Sequence, residues 1–157
     1  MKRSLFALVA LLAACTPGGS FGSSAGSPGA PGGAQITKID VNLTLHSAPA
    51  QTNAGSGAGY APVQTTVPIG SFVQFVNSDG FAHTATAIPN SSSFPASSPF
   101  GVSAQTQIGS AISGSWSSGT LQAGQSSQLI QIDAPGTYLY GCFFHYGAPM
   151  RGAIVAQ

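Results

Sequence analysis

Residues 142–150 read Cys-Phe-Phe-His-Tyr-Gly-Ala-Pro-Met and lead into a short apolar run at residues 152–156. These nine residues contain a thiol, an imidazole and a thioether. Glycine and proline between the imidazole and the thioether favour a tight loop over a regular element. The stretch therefore predicts a loop at one end of a β-structure, with several potential metal ligands on it.

The donor types in this loop indicate copper. Two His, one Cys and a weak, distant Met form a set that accepts both Cu(II) and Cu(I), because sulfur favours the reduced ion while imidazole binds both. Zinc instead requires four firm tetrahedral ligands, and a thioether is a poor one. The set of Cys142, His145 and Met150 therefore predicts one further His upstream.

Two histidines, His46 and His83, are available for that position. In residues 39–46 apolar residues alternate with polar ones, which places His46 on the polar, solvated face of a strand. His83 instead closes a turn-rich run that follows the apolar strand at residues 72–76. We therefore expect His83 to supply the second imidazole.

The spacing of these residues resembles that of a known family. A strand ending in Asn77, then Gly-Phe-x-His, and later Tyr-x-Cys-x-x-His-x-x-x-x-Met-x-Gly is similar to the plastocyanin-like cupredoxins, the type 1 (blue) copper proteins. The resemblance covers residues 36–157 and also matches Tyr140 and Gly152. Thr84 departs from the pattern, since plastocyanins usually carry Asn there. The resemblance implies one type 1 copper ion with four ligands: His83, Cys142, His145 and Met150.

Strand signals recur at short intervals and are separated by clusters of Gly, Pro, Ser and Asn, which indicates an all-β sandwich. The resemblance implies a Greek-key β-sandwich of about eight strands with the copper site at one end. Two low-complexity stretches, residues 47–61 and 90–114, are predicted surface loops, and the second has room for a short helix. The predicted strands are residues 36–45, 63–68, 71–77, 84–87, 115–121, 127–132, 137–142 and 152–156.

The N-terminus is typical of an exported protein. Lys2 and Arg3 precede a short apolar run, which predicts a signal peptide over residues 1–14. The run Leu-Ala-Ala-Cys that ends at Cys15 resembles a bacterial lipobox, which implies cleavage before Cys15 and acylation of its sulfur. Residues 15–34 predict a flexible Gly/Ser/Pro tether, and residues 35–157 a single cupredoxin-like domain.

The expected location is therefore the bacterial cell envelope. The protein would be attached to the lipid bilayer through acylated Cys15, with the domain facing the periplasm or located at the outer membrane. Two alternatives stay open at this point. The chain could carry an ordinary cleaved signal peptide with a cysteine nearby. The two cysteines of an exported protein, Cys15 and Cys142, could instead form a disulfide.

The low charge limits the classes of partner. The whole chain has four basic and three acidic residues, and removal of Lys2 and Arg3 leaves two against three, a net side-chain charge of −1. Nucleic-acid binding needs clustered basic residues and is therefore not expected.

We expect redox proteins of the envelope to dock on an apolar surface around His145. We also expect at least one of Phe143 and Phe144 to be core, because neighbours on a strand face opposite sides. Arg151 either adds a positive field near the rim of the loop or is merely solvated, and we favour the second.

These features together predict an electron carrier, not an enzyme, that moves single electrons between envelope redox partners. A multicopper oxidase or nitrite reductase would need further copper centres, and only His46 remains to build one. Two alternatives are a copper carrier or store that delivers the ion to a client, and a blue-copper subunit of a larger oxidoreductase.

Overall fold

The computed structural model describes residues 33–157, so the predicted signal peptide, Cys15 and most of the tether lie outside the described residues and stay predictions. The described chain forms twelve short strands and one 3₁₀ helix, Val102–Gln105. The strands are β1 (Ile36–Val41), β2 (Ala50–Thr52), β3 (Gly55–Gly57), β4 (Tyr60–Ala61), β5 (Gln64–Val67), β6 (Phe72–Asn77), β7 (Thr86–Ile88), β8 (Gln107–Ile108), β9 (Ser117–Ser118), β10 (Ile130–Gln131), β11 (Gly136–Gly141) and β12 (Arg151–Ala156).

Ten of these strands form two sheets. One sheet has the order β10-β6-β1-β4 and the other β5-β12-β11-β7-β9-β8, while β2 and β3 form a separate hairpin. The β1–β6 and β5–β12 pairs are parallel, and the other pairs are antiparallel. Parallel neighbours cannot be joined by a tight turn, so the chain crosses between the sheets. The predicted all-β sandwich is confirmed, although its strands are shorter and more numerous than expected.

The core lies between the two sheets and is rich in aromatic side chains. Phe75 stacks on Trp116 with 5.6 Å between ring centroids, and the edge of Tyr140 meets Phe75 at 5.0 Å. Tyr60 packs against Tyr140 at 4.8 Å. Such edge-to-face and offset contacts are the arrangements that aromatic rings prefer. Cys142 and Met150 belong to the same buried cluster, so the predicted metal loop lies directly on the core.

The first strand ends earlier than predicted, at Val41 instead of residue 45. Asn42 explains the difference, because its Oδ1 accepts the backbone N–H of Leu45 at 2.8 Å and its carbonyl accepts that of His46 at 3.0 Å. An asparagine side chain that bonds to the following backbone creates a turn in place of a strand. His46 therefore lies in a turn and not on a strand face.

The two predicted loops contain more structure than expected. Residues 47–61 include β2, β3 and β4, and residues 90–114 include the 3₁₀ helix and β8. Their Gly, Ser and Ala residues pair through the backbone and give no hydrophobic periodicity for a sequence pattern to detect. Part of the second stretch covers the outer face of β11 and β12, where Phe94 and Phe100 pack on a smaller buried cluster that includes Leu139 and Tyr146.

No helix within residues 33–157 has the length and apolar character that a membrane span requires.

Candidate metal centre

Three of the four predicted ligands converge at one end of the sandwich. The Sγ atom of Cys142 lies 3.8 Å from Nδ1 of His83 and 3.7 Å from Nδ1 of His145, and the two Nδ1 atoms are 3.1 Å apart. His83 follows β6, Cys142 follows β11, and His145 lies in the turn between β11 and β12. Within the described residues this is the one cluster of three such side chains that could hold a metal ion.

These distances suit a single small ion. A metal–nitrogen bond of about 2.0 Å and a metal–sulfur bond of about 2.3 Å allow one ion to touch atoms separated by 3.1 to 3.8 Å. His83 and Cys142 are fully buried, and His145 is half-buried at the surface of the cluster. The donor chemistry, two imidazoles and a thiolate, is that of a type 1 copper site.

Met150 is fully buried and lies at the far end of the same loop. Its backbone N–H donates to the carbonyl of His145 at 3.2 Å, and its own carbonyl accepts the N–H of Cys142 at 3.0 Å. Gly59 packs so closely on it that a Cβ at position 59 would lie 2.6 Å from Met150 Cγ. Met150 is therefore fixed beside the cluster by backbone bonds and by packing.

Thr84 joins the two parts of the chain that carry the cluster. Its backbone N–H points to Cys142 Sγ at 3.4 Å, and its Oγ1 accepts the N–H of Phe143 at 2.9 Å. The hydroxyl of Tyr60, a core residue, donates to the Thr84 carbonyl. The threonine thus ties the ligand loop to the segment of His83, although the family pattern usually has Asn at this position.

Burial shifts the titration of two of the clustered side chains. It raises the pKa of the Cys142 thiol, and the N–H groups of Thr84, His145 and Phe144 oppose this only in part. It lowers the pKa of His145, with a further contribution from His83 beside it. Both shifts favour neutral side chains in the absence of metal. A bound cation displaces the thiol proton and stabilises the thiolate.

An aspartate that the sequence reasoning did not single out lies behind His83. Oδ2 of Asp79 is 3.1 Å from His83 Nε2, on the side of the ring opposite the cluster, and both side chains are buried. Burial by itself would raise the pKa of the Asp79 carboxyl, but hydrogen bonds from His83, Thr44 and Gly80 lower it to about 2. A carboxylate four residues before a candidate ligand was the signal available in the sequence.

An outer layer holds the loop from the other side. The hydroxyl of Tyr146 donates to the carbonyl of Pro95 at 2.9 Å, and its ring lies 5.2 Å from the guanidinium of Arg151. Arg151 also stacks over Phe94 at 5.2 Å and donates to the Ser56 carbonyl at 2.9 Å. The expectation that Arg151 is merely solvated is therefore wrong, because its guanidinium packs between two aromatic rings and bonds to backbone carbonyls.

Two other expectations concern His46 and the phenylalanines of the loop, and the second is wrong. His46 is outside the cluster, as predicted, but its Nε2 pairs with Asp40 Oδ2 at 2.9 Å. Neither Phe143 nor Phe144 belongs to the buried core: the first is half-buried and the second is 40% exposed. Residues 143–149 form turns and not a strand, so the alternation of faces on which that prediction depended does not apply.

Tyr140 and Gly152, the other two positions of the family pattern, are direct cross-strand neighbours on β11 and β12. A Cβ at position 152 would lie 2.5 Å from the hydroxyl oxygen of Tyr140. A side chain at 152 would therefore collide with the tyrosine ring, which explains why this position is glycine.

Comparison with known proteins identifies the family. The family model for copper binding proteins of the plastocyanin/azurin family matches residues 48–157. The chain belongs to this family. The chloroplastic plastocyanin of Chlamydomonas reinhardtii is 30% identical over 163 residues, with all of both chains covered. Members of the plastocyanin/azurin family are copper-containing electron-transfer proteins and not enzymes.

Solved structures of cupredoxins are also similar to this chain. A purple cupredoxin from Nitrosopumilus maritimus is 19% identical, with a TM-score of 0.48 over 76% of this chain and 98% of that one. The oxidised plastocyanin of Dryopteris crassirhizoma is 20% identical, with a TM-score of 0.46 over 77% of this chain and all of that one.

Proposed function

We propose that the protein is a membrane-tethered type 1 copper protein that carries single electrons between redox partners of the cell envelope. The observation that carries this proposal is the convergence of one thiol and two imidazole Nδ1 atoms within 3.8 Å of one another. The proposed ligands are His83, Cys142, His145 and Met150. Copper, when bound, supplies one-electron redox chemistry that the side chains lack.

Each ligand has a separate contribution. Cys142 supplies the thiolate, and His83 and His145 present Nδ1 toward it. Met150 supplies a weak thioether contact, which in sites of this kind tunes the reduction potential. Hydrogen bonds to the sulfur tune it further, and here the Thr84 N–H points to Cys142 Sγ at 3.4 Å.

The packing supports an electron carrier over a protein that delivers copper. His83, Cys142 and Met150 have no exposed surface, and Thr84 bonds the segments that carry them. Three of the four proposed ligands would therefore hold the ion away from solvent, which is expected to slow its release. A rigid ligand set also changes little between oxidation states, which keeps the barrier to electron transfer low. The half-buried His145 is the ligand through which we expect electrons to enter and leave.

The surface around His145 supports docking by an apolar partner. Leu45, Phe81 and Phe144 are 72%, 65% and 40% exposed and lie on the loops beside the cluster. The phenyl ring of Phe144 is 6.2 Å from the imidazole of His145. The nearest carboxylate on these loops, Asp79, is buried. The partner surface is therefore expected to be apolar and the association only weakly dependent on salt.

The proposed location depends on the N-terminal sequence. The charged start, the short apolar run and Cys15 predict export and lipid anchoring, and the Gly/Ser/Pro segment would hold the domain away from the bilayer. Cys142 is fully buried, and its Sγ faces His83 and His145, which favours a ligand role for this thiol over a disulfide.

The copper site is tested by adding Cu(II) to the purified protein and recording its visible and electron paramagnetic resonance spectra. We expect an intense sulfur-to-copper charge-transfer band and narrow copper hyperfine splitting in the wild type and in His46→Ala. His83→Ala should lose both. A colourless wild type, or loss of the band in His46→Ala instead, would overturn the assignment.

Two further measurements separate the alternatives. Fast electron self-exchange with slow copper loss to a chelator supports the carrier, whereas fast copper loss supports delivery to a client. Fractionation of bacteria that express the full chain tests the anchor. The wild type should sediment with membranes and incorporate labelled fatty acid, and Cys15→Ser should incorporate none.

A further inference from the structure

The contact between Asp79 and His83 differs from the other contacts of the cluster because it places a full negative charge next to a candidate ligand. A carboxylate can only accept a hydrogen bond, so the Asp79 oxygen at 3.1 Å requires a proton on His83 Nε2. That leaves Nδ1, the nitrogen that faces Cys142 and His145, free to bind a metal.

The carboxylate is itself held on every side. Oδ2 accepts the Thr44 N–H at 3.1 Å, and Oδ1 accepts the Thr44 hydroxyl at 2.9 Å and the Gly80 N–H at 2.8 Å. The N–H of Asp79 donates to Asn77 Oδ1 at 2.9 Å. With both oxygens occupied by donors, Asp79 is a fixed anion and cannot rotate away from His83.

We propose that Asp79 is a positioning residue that fixes the ring of His83 in its Nε2–H form and stabilises Cu(II) relative to Cu(I) at the adjacent site. The inference rests on the proposed role of His83 as a copper ligand. A carboxylate bonded to the far nitrogen of a ligating imidazole orients the ring and makes it a stronger donor. A buried negative charge also favours the more positive oxidation state of the metal, by Coulomb attraction in a region that solvent screens poorly.

The chain provides a matched comparison. His46 and Asp40 form the same type of contact, Nε2 to Oδ2 at 2.9 Å, but their side chains are 33% and 35% exposed, against 0% and 3% for His83 and Asp79. Solvent screens a pair of that exposure strongly. His46 is also outside the cluster. Asp40→Asn therefore removes the same charge from the same kind of pair without contact to the site.

The variant that tests the proposal is Asp79→Asn, which keeps the shape of the side chain. An amide has one acceptor oxygen, so it cannot satisfy His83 together with all the donors from Thr44 and Gly80 that the two carboxylate oxygens satisfy. We expect the ratio of Cu(II) to Cu(I) affinity to fall about tenfold or more. For a one-electron couple this is a rise of about 59 mV or more in reduction potential. Copper should also be lost about 10 to 100 times more readily.

A measurement without copper keeps this inference separate from the proposed function. Nitrogen-15 chemical shifts of the metal-free wild type should show His83 protonated at Nε2. In Asp79→Asn the Nδ1–H form should gain population about tenfold. Asp40→Asn should leave both the potential and the His83 shifts unchanged.

The outcomes are distinguishable. A wild type that forms no blue site while His83 still shows the Nε2–H form overturns the proposed function and the effect on potential, but leaves the hydrogen bond established. A blue wild type whose potential is the same in Asp79→Asn overturns the inference alone. Should Asp79→Asn not fold, the metal-free wild type still decides, because protonation of His83 at Nδ1 overturns the inference.

Discussion

The hydroxyl oxygen of Thr84 accepts the backbone N–H of Phe143 at 2.9 Å and so connects the segment after His83 to the loop after Cys142. Thr84→Val keeps the shape of the side chain but leaves this N–H without its partner in a partly buried position. We expect a loss of about 1–3 kcal/mol in the free energy of unfolding, measured by urea denaturation of the metal-free protein. Thr84→Ser retains the hydroxyl and should lose much less. Equal stability of the valine and serine variants would show that the bond contributes nothing.

Gly59 supports Met150 by direct contact. The backbone of Gly59 has φ +74, and an added Cβ would lie 2.6 Å from Met150 Cγ and 3.2 Å from Cε. Gly59→Ala should therefore strain the backbone by about 1–3 kcal/mol and displace the methionine. Denaturation measures the first effect, and a changed charge-transfer spectrum of the copper form measures the second. Gly70, with φ +86 and open space around it, is the matched control: Gly70→Ala should destabilise the fold and leave the spectrum unchanged.

Arg151 stabilises the outer layer over the loop. Arg151→Met removes two cation–π contacts at 5.2 Å and the hydrogen bonds to Ser56 and Pro95. The expected cost is about 1–3 kcal/mol, together with faster loss of copper, because Tyr146, next to His145, loses one of its contacts. Lys38→Met removes the other described cation from an exposed strand position and should change neither. If both variants behaved alike, the contacts of Arg151 would have no specific effect.

Asp133 makes the stability of the fold depend on pH at a position away from residues 142–150. The hydroxyl and N–H of Ser113 donate to its carboxylate at 2.6 and 3.0 Å and lower its pKa from the ordinary 3.8. A lowered pKa in the folded state means that the bonds stabilise the fold above about pH 4 and that this contribution is lost as the pH falls through the folded pKa. Wild type should therefore exceed Asp133→Asn in stability at neutral pH. The difference should close in acid, and a gap that widens instead would contradict the assignment.

The sequence was most informative where residue types that bind metals followed segments with strand patterns. The spacing of Cys142, His145 and Met150, together with His83 after an apolar strand, was sufficient to predict the family, the copper and the end of the sandwich where the cluster lies. Short strand-type runs bounded by Gly, Pro, Ser and Asn also located β1, β6, β11 and β12 to within a few residues.

Sequence patterns could not predict contacts that depend on single polar atoms or on small residues. The end of β1 depends on one amide side chain, Asn42, and the hairpin of β2 and β3 depends on backbone pairing in a stretch without large apolar side chains. Asp79 was missed for a similar reason: it lies in a turn-rich run, where an aspartate is ordinary, and only the fold aims its carboxylate at His83.

The loop from Cys142 to Met150 begins and ends on one pair of strands, because Gly141 and Arg151 are opposite each other in the β11–β12 ladder and the Cys142 N–H still bonds to the Met150 carbonyl. The two ends of the loop are thus held by the strand pairing, and within the loop the His145 carbonyl adds a backbone bond to Met150. Substitutions at loop positions other than His145 can consequently change the surface that meets a partner while the sandwich beneath the loop stays the same.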